Sequence, residues 1–211
     1  MLAMHGVDLV LDVGAASGAY GRELRDFGYA GDIVSFEPLT RPYQRLREAS
    51  AGDARWSSLQ TALGSETGRA TINVASNSDS SSLLPMADAH RTAAPQVDYV
   101  DTEEIDVARL DDVVADRLTS STRPFLKLDT QGFEKEVLAG GPRTLSQSVG
   151  IQVELSFVEL YDGGMLVDEA ISLLYGEGFR MVGIDQGMTS PQGQLLQADG
   201  VFFRPGSLIS R

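Results

Sequence analysis

Residues 11–21, LDVGAASGAYG, carry an apolar run into a turn of small residues, and this stretch decides the fold. The run, VDLVLDV at 7–13, is apolar except for two acids, which is typical of a strand in the middle of a parallel sheet. After the turn the pattern predicts a helix from about Gly18 to Phe27. A strand that leads through such a turn into a helix begins an open α/β sheet, and ligands of these sheets bind beyond the carboxyl ends of the strands. The turn is therefore the first candidate site.

The residue types in the turn distinguish between the kinds of cofactor site that it could form. A dinucleotide fingerprint would need glycine at 16 and 19, where the chain has Ala16 and Ala19. A P-loop is excluded because no Gly-Lys-Ser/Thr sequence follows. The turn instead resembles the first motif of class I S-adenosylmethionine-dependent methyltransferases, an acid followed by alternating small residues. The resemblance implies that the methionine part of the cofactor, with its ammonium group, meets a set of turn residues: Asp12, Gly14, Ala15, Ala16, Ser17 and Gly18.

A second acid stands where such a cofactor would place its ribose. Glu37 ends the predicted strand DIVSFE at 32–37, about twenty residues beyond the turn, and Pro38 follows it. A carboxylate at this place can accept hydrogen bonds from both ribose hydroxyls. Thr61 and Ala62 follow the third strand, where we expect the adenine contacts. The alternative is that the glycines only make a tight turn and that Glu37 caps a helix.

Strands and helices alternate along the rest of the chain. We predict strands at 55–64, 68–76, 124–129, 150–156, 180–185 and 200–205, with a turn near SETG joining the first two, and helices at 41–50, 133–141 and 166–179. The stretch 100–118 is expected to form a short strand and then a helix. This alternation predicts one α/β domain over residues 1–211, a mostly parallel sheet with helices on both faces.

The stretch 76–96, SNSDSSSLLPMADAHRTAAPQ, is polar, rich in serine and interrupted by prolines. It is the longest stretch without clear periodicity, so we predict a functional loop or lid. Ser81 and Ser82 are expected to contact the substrate, and His90 to lie over the site; the alternative is a flexible polar loop.

The composition limits the classes of function. The 211-residue chain has a formal net charge of −13 and no basic patch that would offset repulsion of a nucleic-acid backbone, so we expect no nucleic-acid partner. With no cysteine, disulfides and a cysteine nucleophile are excluded. No apolar run approaches the roughly 18 residues of a membrane span, and the N-terminus does not resemble a signal peptide. A cytoplasmic location is the default expectation.

Motifs spread over the chain point to one family: FEP at 36–38, ALG at 62–64, SSSLL at 80–84, LKLDTQGFEKEVLAGG at 126–141 and VELSF at 153–157. With them, residues 7–204 resemble the FkbM family of methyltransferases. The resemblance implies a Rossmann-like class I fold, with a seven-stranded sheet whose last strand is reversed. It also implies S-adenosylmethionine-dependent methylation of a hydroxyl oxygen on a sugar or a glycosylated metabolite, such as a glycolipid, a polysaccharide precursor or a natural product.

Two departures from the family pattern change the expectations. The chain begins almost at the first strand, so the cofactor would be covered by residues 76–96 or by the partner in a homodimer. Position 131 is glutamine where some relatives have glutamate, which removes one negative metal ligand.

Methyl transfer to a hydroxyl needs a group that removes its proton. Asp129 ends a strand opposite the glycine turn and Glu154 ends the next strand, so both are candidate catalytic residues, with His90 as the alternative base. Gln131 and Tyr161 are candidate substrate contacts. Asp129 also lies within reach of the cofactor, and with Glu154 it could instead hold Mg²⁺ as oxygen ligands.

Two rival functions remain at this point. One is a catalytically silent methyltransferase fold that binds a ligand or assists assembly. The other is a nucleotide-linked dehydrogenase, which Ala16 and Ala19 disfavour.

Overall fold

A computed structural model describes residues 1–208. Its strands are β1 (Leu9–Val13), β2 (Asp32–Phe36), β3 (Trp56–Leu59), β4 (Ala62–Leu63), β5 (Gly68–Ala75), β6 (Tyr99–Ala108), β7 (Pro124–Leu128), β8 (Gly150–Ser156), β9 (Arg180–Gln186) and β10 (Gln197–Phe203). Its α-helices are α1 (Ala19–Asp26), α2 (Thr40–Ser50), α3 (Asp88–Ala93), α4 (Leu110–Val113), α5 (Glu134–Gly140), α6 (Pro142–Gln147) and α7 (Val167–Gly176). Short 3₁₀ helices cover Leu2–His5 and Ala115–Arg117.

The main sheet has seven strands in the order β3-β2-β1-β7-β8-β10-β9. The first five strands in this order, β3-β2-β1-β7-β8, pair in parallel. β10 is antiparallel to both β8 and β9. This order confirms the predicted class I fold, including the reversed last strand. Because β1, β2 and β7 are parallel neighbours, their carboxyl ends open at one edge of the sheet.

Helices cover the two faces of the sheet through alternate side chains of its strands. Val10 of β1 packs with Leu46 of α2 and with partly buried residues of α1 on one face. Leu11 packs with Leu138 of α5 and Leu174 of α7 on the other. None of the helices within the described residues has the length and apolar character that a membrane crossing requires.

A second sheet of three strands, in the order β4-β6-β5, differs from the prediction for this part of the chain. The stretch 55–64 was expected to be one strand, but it divides between β3 in the main sheet and β4 in the small one. β6 is ten residues long where a short strand was expected, and it lies between β4 and β5. Local sequence does not specify strand partners, since pairing depends on contacts between distant residues.

The predicted loop at 76–96 contains the helix α3 and is partly buried. Met86, Ala94 and Val97 form a small apolar cluster with Ala75 at the end of β5. Sequence periodicity did not reveal α3 because this helix has only six residues. It lies between Pro85 and Pro95. Outside α3 the stretch has no regular helix or strand, and its role as a functional loop or lid stays a prediction.

Candidate active site

A cavity of about 620 Å³ opens at the carboxyl ends of β1, β2 and β7. This volume is in the range of small-molecule sites. Most of the predicted cofactor and substrate residues line it: Gly14, Ala15, Ala16, Ser17, Glu37, Pro38, Thr61, Ala62, Ser81, Asp129 and Gln131. The other predicted residues lie outside the lining: Asp12, Gly18, Ser82, His90, Glu154 and Tyr161.

The glycine turn lies against the end of β7 at Gly14. A Cβ at this position would stand 1.8 Å from the backbone oxygen of Asp129, and the φ of Gly14 is +75°. The amides of Gly14 and Ala15 both donate to the carbonyl of Phe36, at 3.1 and 3.0 Å. The ends of three strands thus converge on one backbone turn, an approach that a residue with a side chain could not make.

Gly18 has a packing role instead of a place in the cavity. It precedes α1 with a φ of +79°, and a Cβ there would lie 2.9 Å from Cδ1 of Leu46. Its lack of a side chain lets α1 start against α2, and it lies outside the cavity lining, so its predicted contact with the cofactor stays a prediction.

Glu37 is buried at the end of β2 with both oxygens hydrogen-bonded. Oε2 accepts from the amide of Ala16 and Oε1 from the amide of Leu39, each at 2.9 Å. Burial raises the pKa of Glu37 to about 7, although the two amide bonds oppose the shift. The carboxylate of Glu37 holds the glycine turn in place through these bonds. Each of its oxygens still has a lone pair that can accept a hydrogen bond from a ligand in the cavity, so it fits a ligand with two adjacent hydroxyls.

The cavity beside Glu37 is apolar. Ala62 and Leu63 of β4 line it together with Leu39 and Pro42, and the second sheet and the segment after it add Ile72 and Leu83. An apolar slot next to a carboxylate suits a nucleoside. Neither Ile72 nor Leu83 was predicted from the sequence, because only tertiary packing of the second sheet and the segment after it brings them beside Leu39 and Ala62.

Lys127 lies at the base of the cavity, where it pairs with two acids. Its Nζ is 3.3 Å from Oδ2 of Asp129 and 3.6 Å from Oδ1 of Asp12. Asp12 is fully buried and accepts a hydrogen bond from Ser35 at 3.0 Å. The carboxylate of Asp12 thus faces the ammonium group of Lys127 and lies outside the cavity lining, away from the place predicted for the ammonium group of the cofactor.

Gln131 connects the two predicted catalytic acids. Its Nε2 donates to Oδ1 of Asp129 at 2.7 Å and to the oxygens of Glu154 at 3.1 and 3.2 Å. Its Oε1 accepts from the hydroxyl of Tyr161 at 2.6 Å, and its backbone oxygen accepts from Ser82 at 2.7 Å. Ser82 and Tyr161 are each 1% exposed, so they hold Gln131 in place where direct substrate contacts were predicted.

Glu154 lies behind Gln131. Burial raises its pKa well above the ordinary value, and the charges of Asp129 and Glu134 add to the effect. The predicted Mg²⁺ site is not supported by this arrangement. No three His, Asp or Glu side chains converge as metal ligands within residues 1–208, and the amide of Gln131 directs its N–H groups between Asp129 and Glu154, where a cation would have to lie.

His90 does not lie over the cavity. It is 1% exposed on the buried side of α3, with its ring 5.4 Å from that of Tyr161. Neither ring nitrogen has a hydrogen-bond partner in the described part of the chain, and burial lowers the pKa of His90. The structure therefore does not match the expectation of a loop histidine that acts as base.

The cavity has a second, more polar half that the sequence analysis missed. Tyr20 of α1 donates from its hydroxyl to Gln152 of β8 at 3.3 Å, and Asp199 of β10 lines the same region. Burial raises the pKa of Asp199, and Asp129 adds to the shift. A polar residue on an otherwise apolar strand, as at Lys127, was the signal that could have located this half.

Comparisons with known proteins agree with this architecture. A model of the methyltransferase FkbM domain matches residues 12–181. The chain is similar to the 2-O-methyltransferase NoeI of Sinorhizobium fredii (strain NBRC 101917 / NGR234), at 26% identity over 172 residues, which is 79% of this chain and 70% of the relative.

Solved structures support the fold alone. A fibrillarin/Nop5p complex matches 94% of this chain and 73% of its own, with a TM-score of 0.53 and 14% identity. Magnesium protoporphyrin IX methyltransferase (ChlM) from Synechocystis PCC 6803, solved with bound SAM, matches 94% and 70%, with a TM-score of 0.50 and 12% identity. Since the FkbM model matches most of the chain, the protein belongs to the FkbM methyltransferase family.

Proposed function

We propose that the protein transfers a methyl group from S-adenosylmethionine to a hydroxyl of a sugar or a glycosylated metabolite. One observation carries the proposal: a single cavity joins the Gly14 turn and Glu37 to the exposed side of Asp129. The first two features fit the cofactor, and the third fits a reacting hydroxyl. A relative named as a 2-O-methyltransferase adds support for oxygen as the methylated atom.

The cofactor would occupy the half of the cavity next to β1 and β2. Glu37 would accept from the ribose hydroxyls, and the apolar slot around Ala62 and Ile72 would hold adenine. The backbone from Gly14 to Ser17 would pass along the methionine part. When bound, S-adenosylmethionine supplies an electrophilic methyl group on its sulfonium.

Asp129 is the acid that we assign to the acceptor. Its side chain is 35% exposed, whereas Glu154 is outside the cavity lining. Each Asp129 oxygen accepts one hydrogen bond from the protein, from Lys127 or Gln131, and retains a lone pair. Asp129 would orient the acceptor hydroxyl and receive its proton.

The charges that line the cavity disfavour an anionic acceptor. Among its lining residues in the described chain, Lys127 is the one cation, and both Asp129 and Asp12 already pair with it. Glu23, Asp185 and Asp199 are acidic and can accept hydrogen bonds from sugar hydroxyls. A homodimer and a cytoplasmic location stay predictions from the sequence.

Two measurements test the proposal. Calorimetric titration with S-adenosylhomocysteine should show one site per chain, and folded protein without binding would contradict the cofactor assignment. Transfer of a radiolabelled methyl group to a panel of neutral glycosides and glycan extracts should then fall about 100-fold or more in Asp129→Asn, while S-adenosylhomocysteine affinity changes little. Binding with no transfer to any acceptor would favour the catalytically silent alternative.

A further inference from the structure

Lys127 is a buried cation at the centre of the main sheet. It is 7% exposed, and it is the charged residue of a strand, β7, whose five positions are all buried. Removing an ammonium group from water is costly unless opposite charges and hydrogen-bond acceptors surround it. The neighbours of its Nζ atom therefore indicate its role.

Three oxygens surround Nζ, and an ammonium group has three N–H bonds to direct at them. Nζ donates to the backbone oxygen of Gly14 and to Oδ2 of Asp129, each at 3.3 Å. Oδ1 of Asp12 lies 3.6 Å away and has no hydrogen-bond partner among the described residues. One side chain thus joins the interior of β1, the glycine turn after it and the end of β7.

The surroundings hold Lys127 in this position. Asp12, Lys127 and Gln152 are register partners across β1, β7 and β8, so their side chains share one face of the sheet. The hydroxyl of Tyr20 donates a hydrogen bond to Gln152, and the centroid of the Tyr20 ring lies 5.6 Å from Nζ of Lys127. The ammonium group is therefore enclosed by polar groups and an aromatic ring.

We propose that Lys127 is a positioning residue, which fixes the Asp129 carboxylate and the Gly14 carbonyl relative to each other at the meeting point of cofactor and acceptor. This inference rests on the proposed function. Lys127 holds Oδ2 of Asp129 and Gln131 holds Oδ1, at 2.7 Å, so the plane of the carboxylate is set at both oxygens.

Lys127 does not act as the base itself. Burial lowers its pKa, but the charges of Asp129 and Asp12 raise it by more, so the pKa lies above its ordinary value. The side chain remains an ammonium ion at neutral pH and has no lone pair for a proton.

A double variant separates positioning from simple charge balance. Lys127→Met alone would leave Asp12 buried without a counter-charge, so we expect it to be strongly destabilised. Asp12→Asn/Lys127→Met removes both charges and keeps similar volumes, so its melting temperature should return close to that of the parent. Its affinity for S-adenosylhomocysteine should nevertheless be weaker by about tenfold or more. Asp12→Asn alone is the control. Parent-like affinity in the double variant would overturn the proposal.

Crystals of the unliganded double variant give a second readout that does not depend on the cofactor. We expect the Asp129 carboxylate to leave its orientation toward position 127, and an unchanged side-chain rotamer would overturn the proposal. If the parent protein does not bind S-adenosylhomocysteine, the proposed function fails, but this rotamer still decides whether Lys127 positions Asp129.

Discussion

Nε2 of Gln131 donates a hydrogen bond to Oδ1 of Asp129 over 2.7 Å, from a backbone in the left-handed region with a φ of +56°. Such a conformation is unfavourable for a residue with a side chain and persists only where its surroundings hold it. Ser82 and Tyr161 supply that restraint from the segment after β5 and from the loop after β8. The orientation of the candidate catalytic acid thus depends on residues far from it in sequence.

Tyr161→Phe tests this dependence. The change leaves Oε1 of Gln131 without its 2.6 Å donor, so we expect a loss of about 1–3 kcal/mol in the free energy of unfolding and a clear fall in methyl transfer. Denaturant unfolding and a transfer assay measure the two effects. Tyr175→Phe, on the half-exposed Tyr175, is the control and should change neither.

Gly14→Ala should abolish cofactor binding for a reason that a second glycine can isolate. Gly14 and Gly28 both have a positive φ, +75° and +81°, but a Cβ would meet the Asp129 oxygen at 1.8 Å in the first and nothing within 4 Å in the second. Both changes carry the conformational cost of alanine in the left-handed region, about 1–2 kcal/mol. Only Gly14→Ala should in addition separate β1 from β7 and lose S-adenosylhomocysteine binding in calorimetry. Equal binding by the two variants would show that the close contact is unimportant.

Cofactor affinity should depend on the protonation of Glu37. Because its pKa is raised to about 7, the carboxylate fraction increases as the pH rises from 6 to 8. The charged form is the better acceptor for ribose hydroxyls, so S-adenosylhomocysteine should bind more tightly at pH 8 than at pH 6. Titrations of Glu37→Gln should give weaker affinity with a flatter pH profile. Glu48→Gln, on the exposed face of α2, should keep the profile of the parent.

His90 should make the protein less stable in mild acid. Its folded-state pKa is lowered by burial, whereas an unfolded histidine titrates near 6.5. As the pH falls through this value the unfolded chain takes up a proton that the folded chain refuses, so the contribution of His90 to stability, complete at higher pH, is lost. Denaturant unfolding at pH 7.5 and 5.5 should show a smaller acid-induced loss in His90→Phe than in the parent. Titrating groups that both proteins share contribute equally and cancel in this comparison. Identical losses of unfolding free energy in the two proteins would contradict a buried, neutral His90.

Much of the site could be predicted because parallel strands bring their carboxyl ends together. The turn after β1, Glu37 after β2 and Asp129 after β7 follow from this rule, and all three line the cavity. The family motifs around Asp129 pointed to the same edge of the sheet.

The positions in the structure differ from the expectation where a role depended on the direction of a side chain. Asp12 and Glu154 are near the correct strand ends, but one faces Lys127 beneath the cavity and the other lies behind Gln131. His90 is on a short helix whose buried side no periodicity revealed. A sequence gives the position of a residue along a strand, but neighbouring elements decide whether its side chain meets solvent, a ligand or a counter-charge.

The amino-acid sequence by itself predicted the alternation of strands and helices in the main sheet and the edge at which the cavity opens, since apolar strands and the small residues of one turn are local patterns. Only the tertiary structure decided the apolar slot formed by Ile72 and Leu83, the support of Gln131 by Tyr161 and the central place of Lys127. These features are contacts between residues distant in the chain. Such contacts stabilise the protein only after the strands have paired and water has been excluded.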